Sequence, residues 1–144
     1  MSETREPYNN TEILAVLNHY FAQEKTLAAA YLFGSRATGS FRPNSDIDVA
    51  IILPAELDTE SAFWERVRVQ NNLQDLLPSL GADILDLERV PPRIAHEILR
   101  TGALLCEHDA ERRVLVEVKR QSEYLDFLPR LRYYRKEVLG LDGK

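Results

Sequence analysis

The 144-residue sequence contains a single cysteine, Cys106. That excludes an internal disulfide and any zinc site built on several thiolates. It is short of histidine too: His19, His96 and His108 lie at no metal-ligand spacing, so ordinary structural roles are expected for all three. No uninterrupted apolar run approaches the roughly 18 residues of a membrane-spanning helix, and the first residues show no apolar signal region. A cytoplasmic protein is therefore expected. Positive charge is in deficit, with 18 Lys and Arg against 23 Asp and Glu, net −5, which argues against a general nucleic-acid binder. The charge is uneven. Residues 111–144 carry net +3 and residues 1–110 net −8, so a mildly basic, Arg- and Tyr-rich tail follows an acidic body.

The chain does have enough apolar residues, 44% of its length, to close one ordinary core. Hydrophobic periodicity gives the order α-β-α-β-α-β-α-β-α. After an arm over residues 1–10, Asn10 or Thr11 caps a helix with Ile13, Leu14, Leu17, Tyr20 and Phe21 on its apolar side. Residues 28–33 form a strand apolar on both faces. Residues 46–53 form a second strand that Pro54 ends. Asp58 or Thr59 caps a helix with Phe63, Val67, Leu73, Leu76 and Leu77 inward, and Trp64 packs beside that stripe. Residues 82–87 are a third strand. Pro91-Pro92 opens a helix with Ile94, Ile98 and Leu99 inward, closed by Gly102, and 103–107 is a short fourth strand. A last helix starts at His108-Asp109, with Val114, Val118, Leu125 and Leu128 at helical spacing, and Pro129 kinks or ends it. The expected architecture is a small mixed α/β (α+β) sheet flanked by helices, in one domain spanning 1–144 with its core over about 11–107 and its C-terminal helix and tail over 108–144.

Chemistry concentrates between Tyr31 and Leu53. The first strand runs into Gly34-Ser35, and ten residues later come Asp46 and Asp48 at the head of the second strand. Glycine there permits a sharp turn and close backbone approach. Serine adds a hydroxyl and an amide for phosphate oxygens. Residues 35–38 suit the opening turn of a helix, whose free amides would face an anion. Side chains at i and i+2 of a strand share a face, so Asp46 and Asp48 place two carboxylates together. Their mutual repulsion is relieved by a divalent cation, and hard oxygen ligands suit Mg²⁺ held jointly with substrate phosphates. Arg36 and Arg42 are candidates to add positive charge beside the phosphates. The pattern thus points to metal-assisted chemistry on a nucleoside triphosphate.

Gly34-Ser35-x10-Asp46-x-Asp48 resembles the signature of the DNA polymerase β-like nucleotidyltransferase superfamily. The segment Leu-Phe-Gly-Ser-Arg-Ala-Thr-Gly and the small size resemble its minimal nucleotidyltransferase (MNT) branch, and within it the antitoxins of MNT/HEPN (MntA/HepT) toxin–antitoxin modules. The resemblance covers roughly residues 28–107. It implies the polymerase β-like fold, two Mg²⁺ ions, ATP as substrate, and transfer of AMP to a tyrosine of a partner HEPN-domain ribonuclease toxin. It also implies a third carboxylate on the next strand, for which Asp83 and Asp86 both qualify; Asp83, after Gly81-Ala82, is preferred. On this view Asp46, Asp48 and Asp83 hold the metals, Asp83 serves as local base, and Gly34, Ser35 and Arg36 contact the phosphates. Two other functions stand beside it: an antitoxin that neutralises its partner by covering it, and a nucleotidyltransferase acting on a small-molecule hydroxyl.

Overall fold

The computed structural model describes residues 9–140, so the arm expected at the N-terminus lies, up to residue 8, outside the described residues. Five helices and four strands alternate as the periodicity predicts: α1 (Asn10–Gln23), β1 (Ala29–Phe33), α2 (Ser35–Thr38), β2 (Ile47–Ile52), α3 (Thr59–Leu76), β3 (Ala82–Asp86), α4 (Pro92–Thr101), β4 (Ala103–Glu107) and α5 (Ala110–Tyr133), with a π-helical turn at Tyr134–Val138. The strands form one mixed sheet in the order β3-β2-β1-β4. β1 is antiparallel to both β2 and β4, whereas β2 and β3 are parallel, joined by a crossover through α3.

Local chemistry explains most element ends. Asn9, one residue earlier than expected, caps α1 in a reciprocal box with Glu12. Asp58 caps α3 by accepting from the Ser61 amide, and Asp109 caps α5 by accepting from the Arg112 amide. Gly102 ends α4, its amide bonded to the Ile98 carbonyl.

Each face of the sheet has its own core. On one, Ile13, Leu17 and Phe21 of α1 and Val69 and Leu73 of α3 pack against Ala30, Leu32, Val49, Ile51 and Ile84. Burying each large apolar side chain there contributes about 1.5–3 kcal/mol. On the other, Ala95 and Ile98 of α4 and Val116 of α5 cover Ala29, Tyr31, Ala50 and Ile52. Buried Arg120 donates to the carbonyls of Glu88 and Val90, which ties α5 to the β3–α4 connection.

The helix phases differ from expectation in three places. In α3 the inward stripe is Ala62, Val69 and Leu73, leading to Leu77, while Phe63 and Leu76 face out. Trp64 is 59% exposed rather than packed in the core. It sits edge-on to Phe63, with ring centroids 5.0 Å apart. In α4, Ala95 and Ile98 are buried but Ile94 is exposed. In α5, Val114, Val118 and Leu125 point to solvent, and Pro129 neither ends the helix nor prevents it from reaching Tyr133. Among the described residues no helix is long and apolar enough to cross a membrane.

Candidate active site

The β1–β2 hairpin delivers the site. β1 ends at Phe33, and Gly34 follows at φ 76°, ψ −158°. That region of backbone space is essentially reserved for glycine. A side chain there would also collide with the neighbouring strand, because a Cβ on Gly34 would lie 2.4 Å from Asp48 Oδ2. Glycine is thus required twice, by the turn and by the carboxylate beside it. Ser35 opens α2, a single turn that Gly39 closes in the left-handed conformation. With one turn there is little macrodipole, so any anion at this place depends on the local amides and the Ser35 hydroxyl.

Asp46 stands immediately before β2, and Asp48 is its second residue. Across the sheet Asp48 is in register with Phe33 of β1 and with Asp83 of β3. Asp83 is therefore brought beside Asp48. Asp86 falls on the opposite side of its strand, buried, where it accepts from the Glu88 amide at 3.0 Å and from Arg89 at 2.6 Å. It is a strand-end acid engaged in the turn to α4.

The three aspartates lie on the sheet face covered by α4 and α5. That cover reaches Ala50 but not the start of the strand, so Asp48 is half-buried while Asp46 and Asp83 are exposed. Burial, followed by the charges of Asp83 and then Asp46, pushes the Asp48 carboxyl above the usual carboxylate range. The geometry therefore concentrates negative charge at one end of β2 and β3.

Sequence reasoning used Gly81 only to mark the start of β3 and gave it no part in the site. It precedes β3, its carbonyl accepts from the Ile47 amide at 2.8 Å, and a Cβ on it would lie 2.5 Å from Asp46 Oδ1. Glycines thus press on both carboxylates of the Asp-x-Asp pair. The one available signal was a glycine directly ahead of an apolar-Asp-apolar strand.

Arg36 is placed otherwise than a phosphate ligand would be. It is 4% exposed, and its guanidinium donates to Asn10 Oδ1 and to the carbonyls of Pro43 and Ser45. Arg42 is exposed, on the loop that Arg36 holds. The histidines take structural roles. His108 bonds the Phe21 carbonyl at 2.8 Å, and His96 bonds Gln121 at 3.0 Å and stacks on Tyr124 at 3.9 Å between centroids. His19 bonds Gln23. Burial raises the Cys106 thiol to about 11, as for a small core residue.

Asp46, Asp48 and Asp83 offer hard carboxylate oxygens, the donor type that Mg²⁺ takes. Among the described residues no three acidic, histidine or cysteine side chains form a ready-made cage. An open set of this kind fits an ion whose remaining ligands are water and substrate phosphate.

Residues 16–111 match the family described as polymerase beta, nucleotidyltransferase. No curated protein matches the sequence. Among solved structures, the chain is similar to a chain of a toxin–antitoxin complex with AMP-PNP (24% identity, 92% of this chain and 97% of that one, TM-score 0.61). It is similar to a chain of an MntA–HepT toxin–antitoxin complex (23%, 91% and 94%, 0.55). It is also similar to a chain of the complex of a tri-AMPylated Shewanella oneidensis HEPN toxin with an MNT antitoxin (20%, 88% and 96%, 0.59). At these identities the likeness is one of fold.

Proposed function

Since the chain belongs to the polymerase β nucleotidyltransferase family, we propose that it is an antitoxin that transfers AMP from ATP to a tyrosine of a cognate HEPN-domain ribonuclease toxin and so silences it. The observation that carries this reading is the register of β1, β2 and β3, which gathers Asp48, Asp83 and the Gly34-Ser35 turn at one end of the sheet's strands.

Asp46, Asp48 and Asp83 would hold the Mg²⁺ ions, which when bound supply charge neutralisation and polarisation of the triphosphate. The Ser35 hydroxyl and the amides around Gly34 bind the β- and γ-phosphates. Gly34, lacking a side chain, lets those phosphates approach the backbone beside Asp48. The acceptor oxygen attacks the α-phosphorus, the bond to the bridging oxygen breaks, and diphosphate leaves with the electron pair. Asp83, exposed at the rim, would take the acceptor's proton. A tyrosine hydroxyl has a reference pKa of about 10, so it needs such a base or a polarising neighbour near neutrality. Asp48 is half-buried and holds its position as a strand residue, whereas Asp46 depends on the loop before it.

A second reading, neutralisation by covering the toxin, is favoured by one observation: Leu115, Val118, Leu125 and Tyr133 of α5 are each more than half exposed. One experiment separates the two. The protein is incubated with ATP, Mg²⁺ and the product of the neighbouring reading frame, and the partner's mass is followed with wild type and with Asp46→Asn/Asp48→Asn. Added AMP mass with wild type alone supports transfer. No added mass, with toxicity still suppressed by the double variant, overturns transfer in favour of covering.

A further inference from the structure

A charged side chain that is 4% exposed needs a specific account, because an unmatched guanidinium in the interior costs several kcal/mol. Among the described residues, most of the acceptors around Arg36 are backbone oxygens. Its Nε and Nη2 both donate to the Ser45 carbonyl, at 3.1 and 2.9 Å. Nη2 also faces the Pro43 carbonyl at 3.1 Å and, more weakly, the Arg42 carbonyl at 3.5 Å. Nη1 donates to Asn10 Oδ1 of α1 at 3.0 Å. The Phe41 ring packs against the guanidinium, 5.2 Å from centroid to carbon. Within the loop, Ser45 Oγ accepts from the Arg42 amide and the Arg42 carbonyl accepts from the Ser45 amide, which closes a tight turn.

The position of these oxygens matters. The Ser45 carbonyl belongs to the peptide group that carries the Asp46 nitrogen. Arg36 itself follows Ser35 on α2. A single planar fork therefore spans from the turn that precedes it to the peptide that presents the first carboxylate. We propose that Arg36 is a positioning residue for nucleotidyl transfer, clamping the Ser45–Asp46 peptide and so setting the Asp46 carboxylate against the Gly34-Ser35 turn. This rests on the reading of Asp46 and Ser35 given above. It differs from a phosphate contact in what it demands of the side chain. A phosphate contact needs positive charge, which lysine also carries. The clamp needs a planar fork of donors, which lysine lacks.

The test uses the full chain with Arg36→Lys, Arg36→Ala and Asn10→Ala. It measures Mn²⁺ affinity of the nucleotide-free protein by calorimetry, then kcat and KM for ATP with the partner toxin as acceptor. Thermal melts show which variants fold. If Arg36→Ala does not, the other two carry the test. The clamp predicts that Arg36→Lys and Arg36→Ala both weaken Mn²⁺ binding by about 10- to 100-fold, the usual range for a residue that orients a ligand. It also predicts lower kcat with KM for ATP moved less than about threefold, since nucleotide binding itself is spared. Asn10→Ala, which removes one acceptor and keeps the charge, moves Mn²⁺ affinity the same way by about threefold, the worth of one hydrogen bond. Wild-type Mn²⁺ affinity and kcat in Arg36→Lys overturn the clamp. So does a KM for ATP raised more than about tenfold with Mn²⁺ affinity unchanged, which marks lost ground-state binding and hence a phosphate contact. A wild-type chain that binds neither Mn²⁺ nor ATP overturns the functional reading, and the clamp with it.

Discussion

Replacing Gly81 by alanine separates function from stability. Gly81 has no positive φ, so alanine fits its backbone. Such a change stabilises by about 0.4–1 kcal/mol through the unfolded chain. The new Cβ would meet Asp46 Oδ1 at 2.5 Å and Cγ at 3.1 Å. Ordinary contact begins at 3.4 Å, so the oxygen must retreat by nearly an ångström. The obstacle is the end of a flexible side chain, and turning it away costs about 0.5–1.5 kcal/mol of rotamer strain. The two effects nearly cancel, so the melting temperature should stay within a few degrees of wild type, at roughly 4 °C per kcal/mol for a chain of this size. Function does not cancel. A displacement of about 1 Å at a reacting centre costs on the order of 10²-fold in rate. The assay follows labelled AMP on the toxin together with Mn²⁺ calorimetry and a melt. Gly34→Ala is the contrasting control. Its φ of 76° and its 2.4 Å approach to Asp48 Oδ2 engage the backbone as well, so it should also lose about 1–3 kcal/mol of stability. Gly81→Ala with wild-type transfer would refute the placement of Asp46 in the site. A loss of more than about 3 kcal/mol would show that the residue acts through the fold, since surface changes rarely cost so much.

Three further outcomes follow. The Asp48 carboxyl is held above its usual range by burial and by the charges of Asp83 and Asp46, so its ionisation works against folding as pH rises through that range. Asp48→Asn should therefore melt higher than wild type at pH 7 in EDTA, and added Mg²⁺ should stabilise wild type more than the variant. Burial alone would raise Glu24, but bonds from Arg68, Tyr20 and Thr26 outweigh it and bring its carboxyl below the usual range. Its contribution is present above the unfolded value of about 4.3 and lost as pH falls through the lower folded one. Glu24→Gln should cost on the order of 1 kcal/mol at pH 7, discounted because Arg68 is 40% exposed. The same variant should flatten the acid limb of stability against pH. Trp64→Lys should change stability by less than about 0.5 kcal/mol, as for other exposed positions, and a larger loss in a denaturant titration would mean that its edge contact with Phe63 carries more than surface energy.

Secondary structure was legible because turn residues and apolar periods agree along the chain. Gly34, Pro54 and Gly102 punctuate it, and the strands between are short and apolar. Helix phase was harder. In α3, apolar residues also stand outside the Ala62–Val69–Leu73 stripe, as at Phe63 and Leu76, and close packing on the sheet selects the stripe with small Ala62. In α5 the inward positions are Val116 and Arg120, the second chosen by carbonyls of a distant turn. Asp46, Asp48 and the Gly-Ser turn were readable because their chemistry is local. Arg36 was not, since a loop arginine beside a phosphate turn has the same spelling whether it faces phosphate or peptide oxygens. The approach of Gly81 to Asp46 was unreadable for a related reason: Asp46 is 35 positions earlier and meets it only through the parallel pairing of β2 with β3.

That pairing has a kinetic side. The stretch from Ala29 to Ile52 closes on itself as an antiparallel hairpin, and hairpins of local contacts form early. β3 can dock only after the whole of α3 has been laid across the sheet, and parallel strands joined by long crossovers are slow to pair. During folding, the Gly34-Ser35 turn and two acids therefore exist before the third. On the proposed function, a refolding chain would regain secondary structure before transfer activity, and the return of turnover would report when β3 has paired with β2.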